Sequence, residues 1–147
     1  MATETVLSAT SPDTERETAA HSPTEELLAD ATAALDHRSR GRAVSRSVAP
    51  AGHYLALDAA GSEPLLIPLE ERVLHVGRAV SAGLRFEDPR VSRRHAIVVR
   101  YGRHVRVLDD RSSGGVFVNG VRVIATSLSD GDVVRIGPVA MTYTVVR

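Results

Sequence analysis

From Gly52 to the end of the chain, short apolar runs recur every eight to twelve residues, each cut off by Gly, Asp, Ser or Pro. The runs are His53–Leu57, Leu65–Leu69, Val73–Val76, Leu84–Phe86, Ala96–Val99, Val105–Leu108, Val116–Val118, Val133–Ile136 and Val139–Val146. Each is too short for a helix and rich enough in Val, Ile, Leu and aromatics to be a strand. In the last run Met141, Tyr143 and Val145 alternate with their neighbours, the period of a pleated strand with one buried face. Many short strands with no helical period between them predict an all-β, antiparallel β-sandwich. Tyr101-Gly102-Arg103, Asn119-Gly120 and Ser129-Asp130-Gly131-Asp132 read as hairpin turns.

The chain before Gly52 has a different texture. Residues 1–23 are rich in Thr, Ser, Ala and Glu with few large apolar residues, and are expected to be a disordered tail. Thr24-Glu25-Glu26 offers a hydroxyl cap followed by acids, and Leu27, Leu28, Ala31, Ala34 and Leu35 follow at helical spacing. One short amphipathic helix over 24–37 is predicted, either marginal by itself or docked on a partner or on the domain. Residues 38–50, with Arg38, Arg40, Arg42 and Arg46 among Ser, Gly and Ala, read as a solvated linker. The domain proper is placed at 51–147.

Composition excludes several classes. The 147 residues hold 18 basic and 18 acidic side chains, so no net charge draws the chain to nucleic acid or membrane. All the basic residues are arginine. Cysteine is absent, which removes disulfides and thiolate metal sites. Three Tyr, two Phe and no Trp leave little for base stacking. The longest apolar runs are too short to span a bilayer, and acids stand where a signal peptide carries positive charge, so a cytoplasmic protein is expected. His53, His75 and His104 show no metal-ligand spacing, and no nucleotide or nucleophile motif is present. Asp109 and Asp110 are adjacent on a strand end and point to opposite faces, so they form no acid–base pair. The prediction is a non-enzyme without a cofactor.

The polar residues that stand out lie in the loops. Arg78 follows Gly77 at a strand end; Ser92-Arg93-Arg94-His95 precedes a strand; Ser112-Ser113-Gly114-Gly115 precedes another. A phosphate dianion needs fixed positive charge with hydroxyl and backbone N–H donors around it, and these loops supply all three.

Gly77-Arg78, then Ser92-x-x-His95, then the Ser112–Gly115 turn and Asn119-Gly120, together resemble the forkhead-associated (FHA) domain. The likeness runs roughly from Tyr54 to Val146 and includes the Leu128…Gly131-Asp132…Ile136-Gly137 ending. It implies a sandwich of about 11 short strands and a module that reads phosphothreonine in peptides. By this resemblance Arg78 and Ser92 hold the peptide and its phosphate, and Arg93 and Ser113 add phosphate contacts. Gly77 lets the backbone pass closely, His95 braces the loops, and Asn119-Gly120 is a turn that fixes the next strand.

One position departs from the family pattern. Gly114 stands where these domains usually carry an Asn that holds the peptide main chain, so the phosphate clamp is present and the peptide clamp is weakened. The resemblance implies phosphothreonine proteins and a Ser/Thr protein kinase as partners. The alternative is a phosphate-independent assembly scaffold on the same fold. Thr5, Thr10, Thr14 and Thr18 lie in acidic sequence, and related small bacterial FHA proteins bind their own phosphorylated N-terminal threonine. Thr5, Thr10 and Thr14 are therefore candidate modification sites and the tail a candidate self-ligand. About forty residues of coil between Thr10 and the domain would span roughly 35 Å, ample for this.

Overall fold

The computed structural model describes residues 31–59 and 61–147. The expected tail, its threonines and the first turns of the expected helix lie outside the described residues. Among the described residues twelve strands form two sheets: β1 (Val44–Ser45), β2 (Gly52–Ala59), β3 (Ser62–Pro68), β4 (Val73–Gly77), β5 (Leu84–Arg85), β6 (Ala96–Tyr101), β7 (His104–Asp109), β8 (Val116–Val118), β9 (Val121–Val123), β10 (Ala125–Leu128), β11 (Val133–Ile136) and β12 (Val139–Val146). One sheet runs β1-β3-β2-β12-β11-β8-β9 and the other β10-β7-β6-β4-β5. Eleven of these strands lie beyond residue 50. Every pairing is antiparallel except β4 with β5, whose parallel register sets Val76 beside Leu84 and Gly77 beside Arg85.

The inner faces of the two sheets make one core. Leu55, Leu57 and Ile67 from one side meet Val76, Val98 and Val107 from the other, with Phe86, Ile136 and Met141 also sealed from solvent. Period-two patterning explains which side chains go in: Val105 and Val107 are buried while His104 and Arg106 face out, and Met141 and Tyr143 are buried on β12. The turn at Asn119-Gly120 is a two-residue hairpin with positive φ at both positions, 51° and 84°, as a type I′ turn requires. The Ser129–Asp132 turn is not a hairpin, because β10 and β11 belong to different sheets. It carries the chain across the sandwich, and the Asp132 carboxylate fixes it by accepting from the Ser129 N–H at 2.8 Å.

Residues 31–50, the described part of the segment expected to be helix and then linker, fold onto the sandwich. Ala31–Ala34 is a single 3₁₀ turn, and Leu35 forms an antiparallel bridge to Phe86. Helix α1 spans His37–Arg42, so it starts at the last residue of the predicted helix and otherwise falls in the predicted linker. Asp36 caps it, accepting from the Ser39 N–H at 2.8 Å, and Arg40 and Arg42 sit in its last turn, where the helix dipole favours positive charge. Strand β1 then pairs with β3, and a second 3₁₀ turn covers Arg46–Val48. The cause is apolar surface on the outside of the sheet. Tyr54, Ala56 and Leu66 face away from the main core, and Val44 and Ala49 pack over them. Burying Leu35, and with it Ala31, in the main core adds about 2 kcal/mol to the docking. Among the described residues no helix is long and apolar enough to cross a membrane.

Candidate functional site

Three loops meet at one end of the sandwich. Two backbone bonds bring the first two together: Arg78 N–H donates to the Ser92 carbonyl at 3.0 Å, and Ala79 N–H to the Arg93 carbonyl at 3.0 Å. This crossing explains Gly77. A Cβ there would lie inside the contact distance of the Arg93 carbonyl oxygen, and backbone has little room to yield.

His95 joins the second loop to the third. It is 0 % exposed, and both ring nitrogens are used. Nδ1 accepts from the Ser92 N–H at 2.9 Å, so Nε2 carries the proton and donates to the Gly115 carbonyl at 2.8 Å. Its own backbone donates to Val76 and accepts from Asp110, both at 3.0 Å. The third loop is wound by two further bonds, Ser112 N–H to the Asp109 carboxylate and Gly115 N–H to the Ser112 hydroxyl, each 2.8 Å. Ser113 is thereby set over Ser92: its N–H donates to Ser92 Oγ at 3.1 Å, and the two hydroxyl oxygens are 3.2 Å apart.

The result is an open cleft of about 640 Å³, lined among others by Arg78, Ser92, Arg93, Arg94, Arg111 and Ser113. Four arginines and one aspartate, Asp110, line it, an excess of three positive charges. Arg94 and Asp110 neutralise one another through two bonds of 3.1 Å. Arg78 is half-buried, and its Nε donates to the Val91 carbonyl at 3.0 Å. Among the described residues its two terminal nitrogens have no partner, and Arg93 makes no ion pair. A fixed guanidinium fork, hydroxyls and a backbone N–H around one opening are suited to an oxyanion with several oxygens. They are not suited to nucleophilic catalysis, because His95 bonds to the backbone of Ser92 and not to its hydroxyl.

Arg78, Ser92, Arg93 and Ser113 therefore share one cleft. Gly77 and His95 stand behind it, while Asn119 and Gly120 lie away from it. Asn119 works elsewhere: its side chain donates to Asp132 and accepts from the Val133 N–H, both at 3.0 Å, tying the β8–β9 turn to β11. Gly114 is exposed, without positive φ, and a Cβ there would meet nothing within 4 Å. Sequence reasoning missed Arg111, which reaches the cleft from a left-handed backbone position with φ of 62°. No group of three or more His, Cys, Asp or Glu among the described residues could hold a metal ion.

Burial holds the His95 imidazole below its ordinary value of 6.5, although the Gly115 carbonyl and Asp109 pull the other way. Burial, then repulsion from Arg100, lowers His53 likewise. In both cases the unfolded chain takes up a proton at a pH where the folded chain does not, so acidification favours unfolding. We expect the contribution of these two histidines to be flat above pH 6.5 and to fall below it, by at most about 1.4 kcal/mol per pH unit for each histidine. Urea midpoints between pH 7.5 and 5 check this; the His53→Gln variant should keep the His95 part of the slope.

Comparison with known proteins agrees with this geometry. The family model for the FHA domain matches residues 74–137. An ABC transporter ATP-binding/permease protein of Mycobacterium tuberculosis is 39 % identical over 70 residues, which is 48 % of this chain and 8 % of the transporter. The chain thus spans under a tenth of that relative. The fold is similar to an FHA domain solved in a study of phosphothreonine-dependent interactions, with TM-score 0.58, 28 % identity and coverage of 67 % of this chain and 99 % of that one. It is also similar to the FHA domain of FhaA, solved in complex with the intracellular domain of another protein. There the TM-score is 0.55 and the identity 31 %, over 62 % of this chain and 97 % of the other. With that domain matched over nearly its whole length and the three loops built as described, the chain belongs to the FHA domain family.

Proposed function

We propose that this chain is a non-catalytic reader of phosphothreonine peptides in Ser/Thr-kinase signalling. The observation that carries the reading is the convergence of Arg78, Ser92, Arg93 and Ser113 on one positively charged cleft, where no described residue bonds to the terminal nitrogens of Arg78. An FHA domain studied for phosphothreonine-dependent interactions shares the fold, which supports the same reading. Arg78 would take two phosphate oxygens through its fork, and Ser92 and Ser113 would turn their hydroxyls from each other to the phosphate. Arg93 adds charge from the rim. Titration with a degenerate phosphothreonine peptide pool and with its unphosphorylated counterpart tests the proposal; equal binding of the two favours the assembly-scaffold alternative.

Gly114 weakens the grip on the peptide backbone in this reading. The position is open and its backbone suits an L-residue, so Gly114→Asn is expected to fold normally. It should tighten phosphopeptide binding by about tenfold, the worth of one or two added hydrogen bonds. Isothermal titration of both proteins with one phosphopeptide reads the change, and an unchanged affinity would remove Gly114 from the peptide clamp.

The chain's own N-terminal threonines are proposed ligands. Thr5, Thr10 and Thr14 lie outside the described residues, but the described chain begins beside the cleft: the Glu87 N–H donates to the Ala34 carbonyl, and Pro89 lines the opening. Because 31–50 is packed, the distance is counted to Ala31, the first described residue, which is separated from Thr10 by twenty residues of chain. Twenty residues of coil reach about 25 Å, against a radius of about 13 Å for a domain of 100 residues. Phosphorylating the tail with a Ser/Thr kinase should lower the affinity for added phosphopeptide at least several-fold. If affinity does not change, the tail is not a self-ligand.

A further inference from the structure

The loop that carries Arg78 has little structure of its own. Between β4 and β5 its one internal backbone bond is Ala82 N–H to the Ala79 carbonyl, and β5 is a two-residue edge strand. Its remaining polar groups are held from outside, largely by residues 36–42. Arg38 donates to the carbonyls of Ala82 at 2.5 Å and Val80 at 3.2 Å, and Arg42 to that of Gly83 at 3.1 Å. Ser39, 1 % exposed, accepts the Arg85 N–H at 3.0 Å, and the Asp36 N–H donates to the Arg85 carbonyl at 3.0 Å. Arg85 closes the chain of contacts. Its Nε donates to the carbonyl of Arg78 itself at 2.9 Å, while its NH1 lies 2.9 Å from Glu87 and 3.9 Å from the Asp36 carboxylate.

We propose that residues 36–42 are a brace that positions Arg78, with Arg38, Ser39 and, through them, Arg85 as positioning residues for phosphate binding. The inference rests on the proposed phosphothreonine reading and adds a regulated part to it. The brace lies outside residues 74–137, the region that the family model matches. Its contacts fall on the loop that forms one wall of the cleft, where Arg78, Ala79 and Ser81 stand. A guanidinium fork recognises phosphate only in a narrow range of orientations, so holding the peptide unit of Arg78 sets how well its fork can engage. Docking of the brace and binding of a phosphopeptide are then thermodynamically linked: each strengthens the other by the same factor. The same segment leads directly to the threonine-bearing residues 1–30, so whatever engages those residues has a route to the cleft through the brace.

The test uses the full chain and a degenerate phosphothreonine peptide pool beside its unphosphorylated counterpart. Arg38→Ala and Ser39→Ala, assayed where circular dichroism shows each fully folded, should each weaken binding of the phosphorylated pool by about tenfold. Arg38→Lys should restore part of the loss. Hydrogen exchange supplies the readout that simple structural support would not move: saturating the wild-type chain with the pool should slow the Ser39 and Arg85 amides several-fold. Affinities within twofold of wild type in both alanine variants, or exchange at Ser39 and Arg85 indifferent to the peptide, overturn the brace while leaving the reader intact. Failure of the wild-type chain to prefer the phosphorylated pool overturns the reader and the brace with it.

Discussion

Replacing Arg78 by alanine should abolish phosphate-dependent binding. Two charge-assisted bonds from the guanidinium fork to a phosphate contribute about 1.5–3 kcal/mol each, so their loss weakens binding more than a hundredfold. The fold should survive. Among the described residues the side chain contributes one internal hydrogen bond, to the Val91 carbonyl, while the loop crossing depends on backbone groups that alanine keeps. Arg78→Lys should recover only part of the affinity, because an ammonium offers a point charge and no planar fork. A binding curve for paired phosphorylated and unmodified peptides reads the effect. An Arg78→Ala protein that still prefers the phosphorylated member places the phosphate somewhere else.

His95→Ala should do its damage through stability. The imidazole is sealed from water and bridges the Ser92 N–H and the Gly115 carbonyl. Truncation leaves both groups without their partner and opens a void at the join of two of the cleft's loops. An unpaired buried group costs about 1–3 kcal/mol, so a total loss of about 3–5 kcal/mol is expected, with a fall in Tm of more than 10 °C. Thermal unfolding followed by circular dichroism measures it. A shift below about 3 °C would mean the loops hold their shape without the histidine.

How far the sequence disclosed this molecule depended on whether a residue's partner was local. The buried alternation of Val105 and Val107, and of Met141 and Tyr143, is written in the order of residues, so those strands were legible. Strand β9, three residues with Val121 and Arg122 both exposed, shows no buried face and is signalled only by the turn before it; β10, which reads Ala-Thr-Ser-Leu, has no signal at all. Edge strands bury too little to leave a pattern. The arginines at 38 and 42 read as solvated charge because their acceptors are backbone carbonyls more than forty residues away, which no charge count can reveal. For the site, glycine, arginine, serine and histidine at their spacings identified the loops, and the cleft assembled from them holds Arg78, Ser92, Arg93 and Ser113 together. Arg111 escaped notice because its place in the cleft is set by a left-handed backbone turn, not by a residue pattern.

The most direct test of the phosphothreonine reading is a heteronuclear NMR titration of the intact chain with one phosphothreonine peptide and its unmodified twin. The account predicts that only the phosphorylated peptide moves the amides of Arg78, Ser92, Arg93 and Ser113, with the β8–β9 turn at Asn119-Gly120 left in place. Identical shifts from both peptides, or shifts that avoid these four amides, would contradict it.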